Sequence, residues 1–213
     1  EARVVVLTGN GKAFCSGQDL SDGGNLANPD LERTLRDEYQ PLVRAIVDAP
    51  VPVIAAVNGA AAGAGANIAL ACDVVIAAES AYFMQAFSKI GLIPDAGGTY
   101  WLPRSIGGPK AMGAALFGEK ISARDADAWG MIWEAVADED FAAQVEARVQ
   151  HLAQGPTQAF SRIKQAMRAS FDNDLDRQLA LEAQLQGQCG KTRDFQEGIV
   201  AFHEKRAAQF EGR

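Results

Sequence analysis

Histidine and cysteine are scarce in this chain, and cationic side chains are outnumbered. Its 213 residues include only two histidines, His151 and His203, both in polar, helix-like stretches, so a Ser-His-Asp or Cys-His unit has little to recruit. No His-Glu-x-x-His or paired Cys-x-x-Cys spacing occurs, which removes the usual zinc patterns. The three cysteines, Cys15, Cys72 and Cys189, have no pairing spacing and read as reduced thiols of a cytoplasmic protein. Cys15 and Cys72, among small or apolar neighbours, read as small packing residues. Lys and Arg number 20 against 27 Asp and Glu, and the resulting charge of -7 disfavours nucleic acid, whose phosphates reward a basic surface. An anionic small ligand stays open, since it needs only a few local cations and oriented backbone N–H groups. No apolar run approaches a membrane span, and no signal peptide is visible. An initiator Met is also missing. The chain enters a buried strand at Val4-Val5-Val6-Leu7, and such a strand expects neighbours on both sides. This reading expects further residues upstream.

What is present is a core-forming pattern, with 48% hydrophobic residues, enough for one sizeable α/β core in a chain of this length. A β-branched strand over Val4–Leu7 leads into a polar, Gly-bearing loop from Gly9 to Gly24. Asn28 as N-cap and Pro29 at the first helical position predict a helix ending at Ala49-Pro50. Its apolar stripe is Leu31, Leu35, Tyr39, Leu42, Val43, Ile46 and Val47. Pro52–Val57 is the next strand, Asn58-Gly59 breaks it, and a small-residue helix over Gly63–Ala71 precedes a strand at Val74–Ala77. Short helical pieces with Gly-rich joints follow, then a last strand over Trp129–Val136. From Asp138 onward the pattern is helical, over about 138–154, 156–171, 174–189 and 192–207. These alternations predict an α/β core over 1–137 and a C-terminal helical region over 138–213.

Three segments have chemical potential. Between Ser80 and Gly118 the only acidic residue is Asp95, in Gly91-Leu92-Ile93-Pro94-Asp95-Ala96-Gly97-Gly98-Thr99. A carboxylate flanked by Ile-Pro and Ala-Gly-Gly is expected to be partly desolvated, which raises its pKa and suits a proton-transfer base. Ordinary turn chemistry explains the same residues on local sequence alone. The other two segments offer backbone N–H groups: Phe14-Cys15-Ser16-Gly17-Gln18-Asp19, and Gly59-Ala60-Ala61-Ala62-Gly63-Ala64-Gly65 at the start of a helix. Two such donors meeting on one carbonyl oxygen would form an oxyanion hole. Close helix–strand packing accounts equally for the alanines and glycines. Nucleotide readings fail: Ile68 replaces the third Gly of a dinucleotide fingerprint, and Ala13 follows Lys12 where a P-loop needs Ser or Thr.

Together these segments resemble the crotonase (enoyl-CoA hydratase/isomerase) superfamily. Val5-Val6-Leu7-Thr8-Gly9 through Leu20 is similar to its first signature, and Pro52–Gly59 through Cys72-Asp73 to its second. Ile93–Thr99 is similar to the third, and Phe202-His203-Glu204-Lys205-Arg206 to the end of its last helix. The resemblance is collinear over essentially the whole chain and implies a ββα spiral core with a C-terminal helical region. It implies a coenzyme A thioester whose carbonyl is held by the N–H groups of Gln18 and Ala64, directly after Gly17 and Gly63. It also implies CoA contacts from Ser16, Gly17, Gln18, Asp19 and Leu20, and from Phe202 with Lys205, often reaching a neighbouring subunit. The i, i+3 spacing puts that last pair on one helix face. The superfamily assembles as trimers and dimers of trimers and needs no cofactor beyond the CoA of its substrate.

Where hydratases of this superfamily carry two catalytic glutamates, this chain has Asn67 and Phe87, and where they have glycine it has Asp95. The resemblance therefore implies an isomerase, with Asp95 taking a proton from one carbon and returning it to another. Phe83, Met84 and Phe87 could line an apolar pocket for an acyl group with a ring, though core packing explains them as well. Three alternatives stay open: a hydratase-like or other acyl-CoA-processing enzyme, an enzyme using Asp95 as a nucleophile, and a non-catalytic acyl-CoA-binding subunit.

Overall fold

The first six strands join two sheets in alternation. The computed structural model describes residues 2–19 and 30–213; the expected cap at Asn28-Pro29 and the CoA contact expected of Leu20 lie outside the described residues. One sheet takes β1 (Val5–Thr8), β3 (Val53–Val57), β5 (Val74–Ala78) and β8 (Glu134–Val136), in the order β1-β3-β5-β8. The other takes β2 (Ala13–Cys15), β4 (Ala60–Ala62), β6 (Tyr82–Met84) and β7 (Lys120–Ser122), in the order β2-β4-β6-β7. Pairing is parallel for β3–β5, β5–β8, β2–β4 and β4–β6, and antiparallel for β6–β7. Two strands, one for each sheet, followed by helical chain make one turn of a ββα spiral. The fold is the predicted crotonase type.

Four strands depart from the sequence reading. β2, β4, β6 and β7 are three residues each, too short for a visible period, and β4 is all alanine, a residue depleted in strands. The predicted strand over Trp129–Val136 is strand only from Glu134. Trp129 closes α5 (Ala123–Ala128), and Gly130 turns the chain at φ 74°.

The first helical stretch is interrupted. α1 (Leu31–Thr34) is capped by the Asp30 carboxylate on Arg33 N, a π-helical turn spans Leu35–Tyr39, and α2 runs from Gln40 to Val47. Pro41 has no N–H to offer and its ring crowds the carbonyl four residues back, which a straight α-helix tolerates poorly. The wider turn, closed by Gln40 N donating to Leu35 O, resets the ladder there. Of the predicted stripe, Ile46 is buried and Leu35, Tyr39, Val43 and Val47 are half-buried, whereas Leu31 and Leu42 are exposed.

Core residues concentrate in β3, β5 and α3 (Ala64–Ala71). Every residue of β3 is buried, as is all of α3 except Ile68. The small side chains of α3 let it pack closely on β2, β4 and α4 (Gly98–Phe117). α4 breaks at Gly107, where φ is 73° and ψ 163°, in keeping with the predicted Gly-rich joints.

The chain divides into two compact units. One comprises Val6–Ala49 and Val53–Val145. The other comprises residues 146–213 with the short pieces 1–5 and 50–52. Where the sequence pattern set a boundary at 137/138, this division falls inside α6 (Phe141–Gln154). In the second unit Arg3 bonds Thr157 Oγ1 at 2.8 Å and the Gly155 carbonyl, and Lys164 Nζ donates to Val51 O at 3.0 Å. Its helices α7 (Thr157–Ala169), α8 (Leu175–Cys189) and α9 (Arg193–Glu204) lie close to their predicted limits, with Asp174 and Thr192 as N-caps.

Candidate active site

Each of the first three spiral turns delivers one predicted group after its second strand. Gln18 and Ala64 come within a few residues of β2 and β4, and Asp95 comes beyond a 3-10 turn (Ala86–Ile90) that follows β6. Cys15 ends β2, and the chain passes through Gly17 at φ 86° to reach Gln18. Ala62 ends β4, and Gly63 at φ 55° caps α3, whose first residue is Ala64. A Cβ on Gly17 would lie 3.2 Å from Ala64 N and 3.1 Å from Ala62 O, so the two loops touch through Gly17. Gly65 carries the same contact further: a Cβ there would stand 2.2 Å from Cys15 O. The structure therefore brings the Gln18 and Ala64 amides into one neighbourhood, at a helix N-terminus whose first N–H groups lack intrahelical partners. Gly63 N donates to Met84 O at 2.9 Å, tying this loop to β6. Ser16, Gln18 and Asp19 are exposed along the first loop.

Asp95 stands at the opening corner of a tight turn. Its carbonyl accepts from Gly98 N at 2.8 Å, around Ala96 at φ 47° and Gly97 at φ 87°. Two consecutive left-handed residues define this turn, so Ala96 and Gly97 form its centre, while Pro94 lies outside it. An alanine held there costs about 1–2 kcal/mol, and such strain clusters at functional sites. The Asp95 side chain is half-buried, and its Oδ1 is fully buried with no hydrogen-bond partner. Burial pushes its pKa above the usual carboxylate value, partly offset by a hydrogen bond from its own backbone N–H.

Asn67 explains how that turn is held. It is 0% exposed, and its Nδ2 donates to the Asp95 carbonyl at 2.8 Å. Gln85, 1% exposed, donates from Nε2 to Asn67 Oδ1 at 2.8 Å. Both ends of the Asn67 amide are thus committed to orienting the Asp95 segment. A Cβ on Gly98 would come within 2.3 Å of Asn67 Nδ2, so glycine is required for this approach. Phe87 is buried, its carbonyl accepts from Leu92 N at 3.0 Å, and its ring edge lies 3.9 Å from where a Gly63 Cβ would stand. It sits against the loop that presents Ala64.

Two expectations need correction. Phe83 is 0% exposed within the main apolar core, so it cannot line an open ring pocket; core packing is its role. Lys205 does not share a helix face with Phe202, because α9 ends at Glu204 and Lys205 takes a left-handed conformation at φ 55°. Phe202 itself is 79% exposed. Both residues belong to the second compact unit, whereas Asp95, Gln18, Ala64, Asn67 and Phe87 all belong to the first.

Sequence reasoning missed Tyr39 and Gln85. Tyr39 OH donates to Gln18 Oε1 at 2.6 Å. Burial first, then the nearby Asp95 and Cys15 charges, raise the pKa of this phenol. The proline two residues on was the available signal, since it marks a helical irregularity at Tyr39. Gln85 had no signal beyond being a polar residue between apolar ones.

The family profile described as Enoyl-CoA hydratase/isomerase matches residues 1–213. The chain belongs to that family. It is 61% identical over 213 residues to a Rhodobacter capsulatus protein named "Probable enoyl-CoA hydratase", covering 100% of this chain and 82% of the relative. It is 50% identical over 214 residues to the 1,2-epoxyphenylacetyl-CoA isomerase of Escherichia coli, covering 99% and 82%. Among solved structures, the enoyl-CoA hydratase of Bacillus anthracis superposes with a TM-score of 0.93 at 35% identity, covering 99% of this chain and 82% of that one. Membership in the enoyl-CoA hydratase/isomerase family agrees with the signatures read from the sequence and with the alternating two-sheet topology.

Proposed function

We propose that this chain is a coenzyme A thioester isomerase, with Asp95 as its proton-transfer base and the Gln18 and Ala64 amides as its oxyanion donors. The observation that carries this reading is the pairing of a half-buried carboxylate, one oxygen unpartnered, with an asparagine committed to holding the turn on which it rides. Asp95 takes the proton from the carbon next to the thioester carbonyl. The electron pair left behind spreads onto the carbonyl oxygen, where the two amides stabilise it by about 3–4 kcal/mol each. The same carboxyl returns the proton to a carbon further along. Atoms balance without water, oxidant or a cofactor beyond the CoA of the substrate.

The substrate we propose is ring-1,2-epoxyphenylacetyl-CoA, converted to oxepin-CoA. The carbon–carbon bond shared by the epoxide and the six-membered ring opens electrocyclically, its electrons becoming ring double bonds. Asp95 moves the proton from the carbon next to the thioester to a ring carbon. Related double-bond shifts in enoyl-CoA intermediates need the proton transfer alone. Support comes from the 50% identity to the Escherichia coli isomerase and from the wording Phe-Ser-Lys-Ile-Gly-Leu-Ile-Pro-Asp-Ala-Gly-Gly-Thr. A hydratase reading has the name of the Rhodobacter capsulatus relative in its favour. Against it, a neutral amide stands at position 67 and a buried phenyl ring at 87, and neither can activate water. Incubation with ring-1,2-epoxyphenylacetyl-CoA beside 3-enoyl and 2-enoyl thioesters, with products identified by mass and by absorbance, separates the readings, because an isomer differs from its substrate in absorbance and a hydrate differs in mass. Isomers of unchanged mass are expected, and a gain of water would overturn the proposal. In the same assay Asp95→Asn is expected to lower turnover by about 10²–10⁴-fold while thioester binding persists.

We further propose a homo-oligomer, a trimer or dimer of trimers, working in the cytosol. Ile163, Met167, Phe171, Phe195, Ile199 and Phe202 leave apolar surface on the C-terminal unit for such contacts, and all three cysteines are unbridged. No helix among the described residues is long and apolar enough to cross a membrane.

A further inference from the structure

Tyr39 takes part in no step described above, yet three observations tie it to the site. Its hydroxyl donates a short hydrogen bond, 2.6 Å, to Gln18 Oε1, and among the described residues it is the hydrogen-bond partner of that side chain. It closes the π-helical turn Leu35–Tyr39, whose extra residue rotates everything after it relative to a regular α-helix. Such turns are uncommon and recur at functional sites. Gln18 follows Gly17, which sits at φ 86°. A peptide next to a left-handed glycine has more than one accessible orientation, so the direction of the Gln18 N–H needs an outside constraint.

We propose that Tyr39 is a positioning residue that clamps the Gln18 side chain and so holds the Gln18 N–H on the thioester oxygen. This rests on the oxyanion reading given above. The phenol remains a donor throughout the neutral range, since tyrosine ordinarily titrates at about 10, and burial first, then the nearby Asp95 charge, push it further upward. A phenylalanine at 39 keeps the ring and the helix but releases Gln18. The turnover number then falls while the Michaelis constant hardly moves, because the developing oxyanion needs the aligned N–H more than the ground-state carbonyl does.

The test uses the full-length protein with phenylacetyl-CoA, carbon-13-labelled at the thioester carbonyl, as an unreactive probe. Difference infrared spectra report how strongly the bound carbonyl is polarised. Wild type is expected to shift the stretch to lower frequency than in water, and Tyr39→Phe to lose part of that shift. Turnover with a reactive thioester is expected to fall about tenfold, less than the ~10²–10³-fold cost of deleting an oxyanion donor outright. Gln18→Ala, which keeps the backbone N–H, is expected to reproduce the loss. The double variant is expected to be no worse than either single one, because both act through one hydrogen bond. A full carbonyl shift in Tyr39→Phe, or losses that multiply in the double variant, would overturn the clamp while leaving the oxyanion reading intact. Absence of any shift in wild type would remove the oxyanion reading and the clamp with it.

Discussion

α3 and α8 each contain a glycine, and the two glycines stand in opposite circumstances. Gly65, in the first turn of α3, lies so close to the chain that a Cβ would stand 2.2 Å from Cys15 O. Gly187, inside α8, has nothing within 4 Å of the same added atom apart from the adjoining backbone of its own helix. One glycine is imposed by packing, and the other is a helix residue without a steric reason. The contrast extends to the surrounding segments. α3 is buried almost throughout and carries the Ala64 amide and Asn67, whereas α8 has a single buried residue, Leu185. Tolerance to change is therefore distributed very unevenly, and the candidate site lies where it is least.

The comparison can be broken by making the same substitution twice. Gly65→Ala forces backbone against backbone, and overpacking of that kind costs typically 1–3 kcal/mol, occasionally more. We expect about 3 kcal/mol, or loss of soluble protein, read by denaturant unfolding. An effect under about 0.5 kcal/mol would mean that the two loops do not touch as described. Next in size is Asn67→Ala, which strips a donor from the Asp95 carbonyl and an acceptor from Gln85 in a dry environment. The expected cost is about 1–3 kcal/mol. A larger relative loss in turnover than in stability would show the network orienting the base.

Asp95 supplies a pH-dependent version of the test. Its folded-state pKa lies above its unfolded value, so in the window between them the native state holds a proton that the unfolded chain has lost. Stability therefore falls as pH rises through that window, which begins near the ordinary Asp value of about 3.9. Asp95→Asn is expected to flatten this slope and raise the melting temperature at neutral pH, while the acid limb of the wild-type rate profile lies above the ordinary Asp pKa. A melting temperature that drops in Asp95→Asn would contradict the burial argument. The smallest effect belongs to Gly187→Ala, expected to stabilise by roughly 0.5–1 kcal/mol, since nothing obstructs the methyl group and helical glycine is costly. Destabilisation there would mean that another surface covers α8.

How much of this was legible in the sequence follows the same division. The C-terminal helices were readable because each is 12 to 15 residues of helical pattern, and α8 and α9 also have side-chain caps in Asp174 and Thr192. The fully buried β3 was readable as an unbroken apolar run. The three-residue strands β2, β4, β6 and β7 were not, because what makes them strands is a partner 20 or more residues away, such as Tyr82 beside Ala60. At the site, the partial desolvation of Asp95 followed from its neighbours. The identity of its holder did not: Asn67 stood out only as a missing glutamate, and its two-sided hydrogen bonding to Asp95 and Gln85 depends on packing across 28 and 18 residues. The left-handed Ala96 was equally hidden, since only surrounding structure can hold an alanine there.

The alternation of strands between two sheets has one more consequence. Gln18 follows β2, Ala64 follows β4 and Asp95 follows β6, so three successive windings each contribute one group to the proposed chemistry. The fold behaves like a rack with one tool per shelf. On the proposed reading, a residue on the third winding is exchangeable while the first two keep their grip on the thioester carbonyl. A lineage built this way can change what it does to the carbon chain without relearning how to hold the handle.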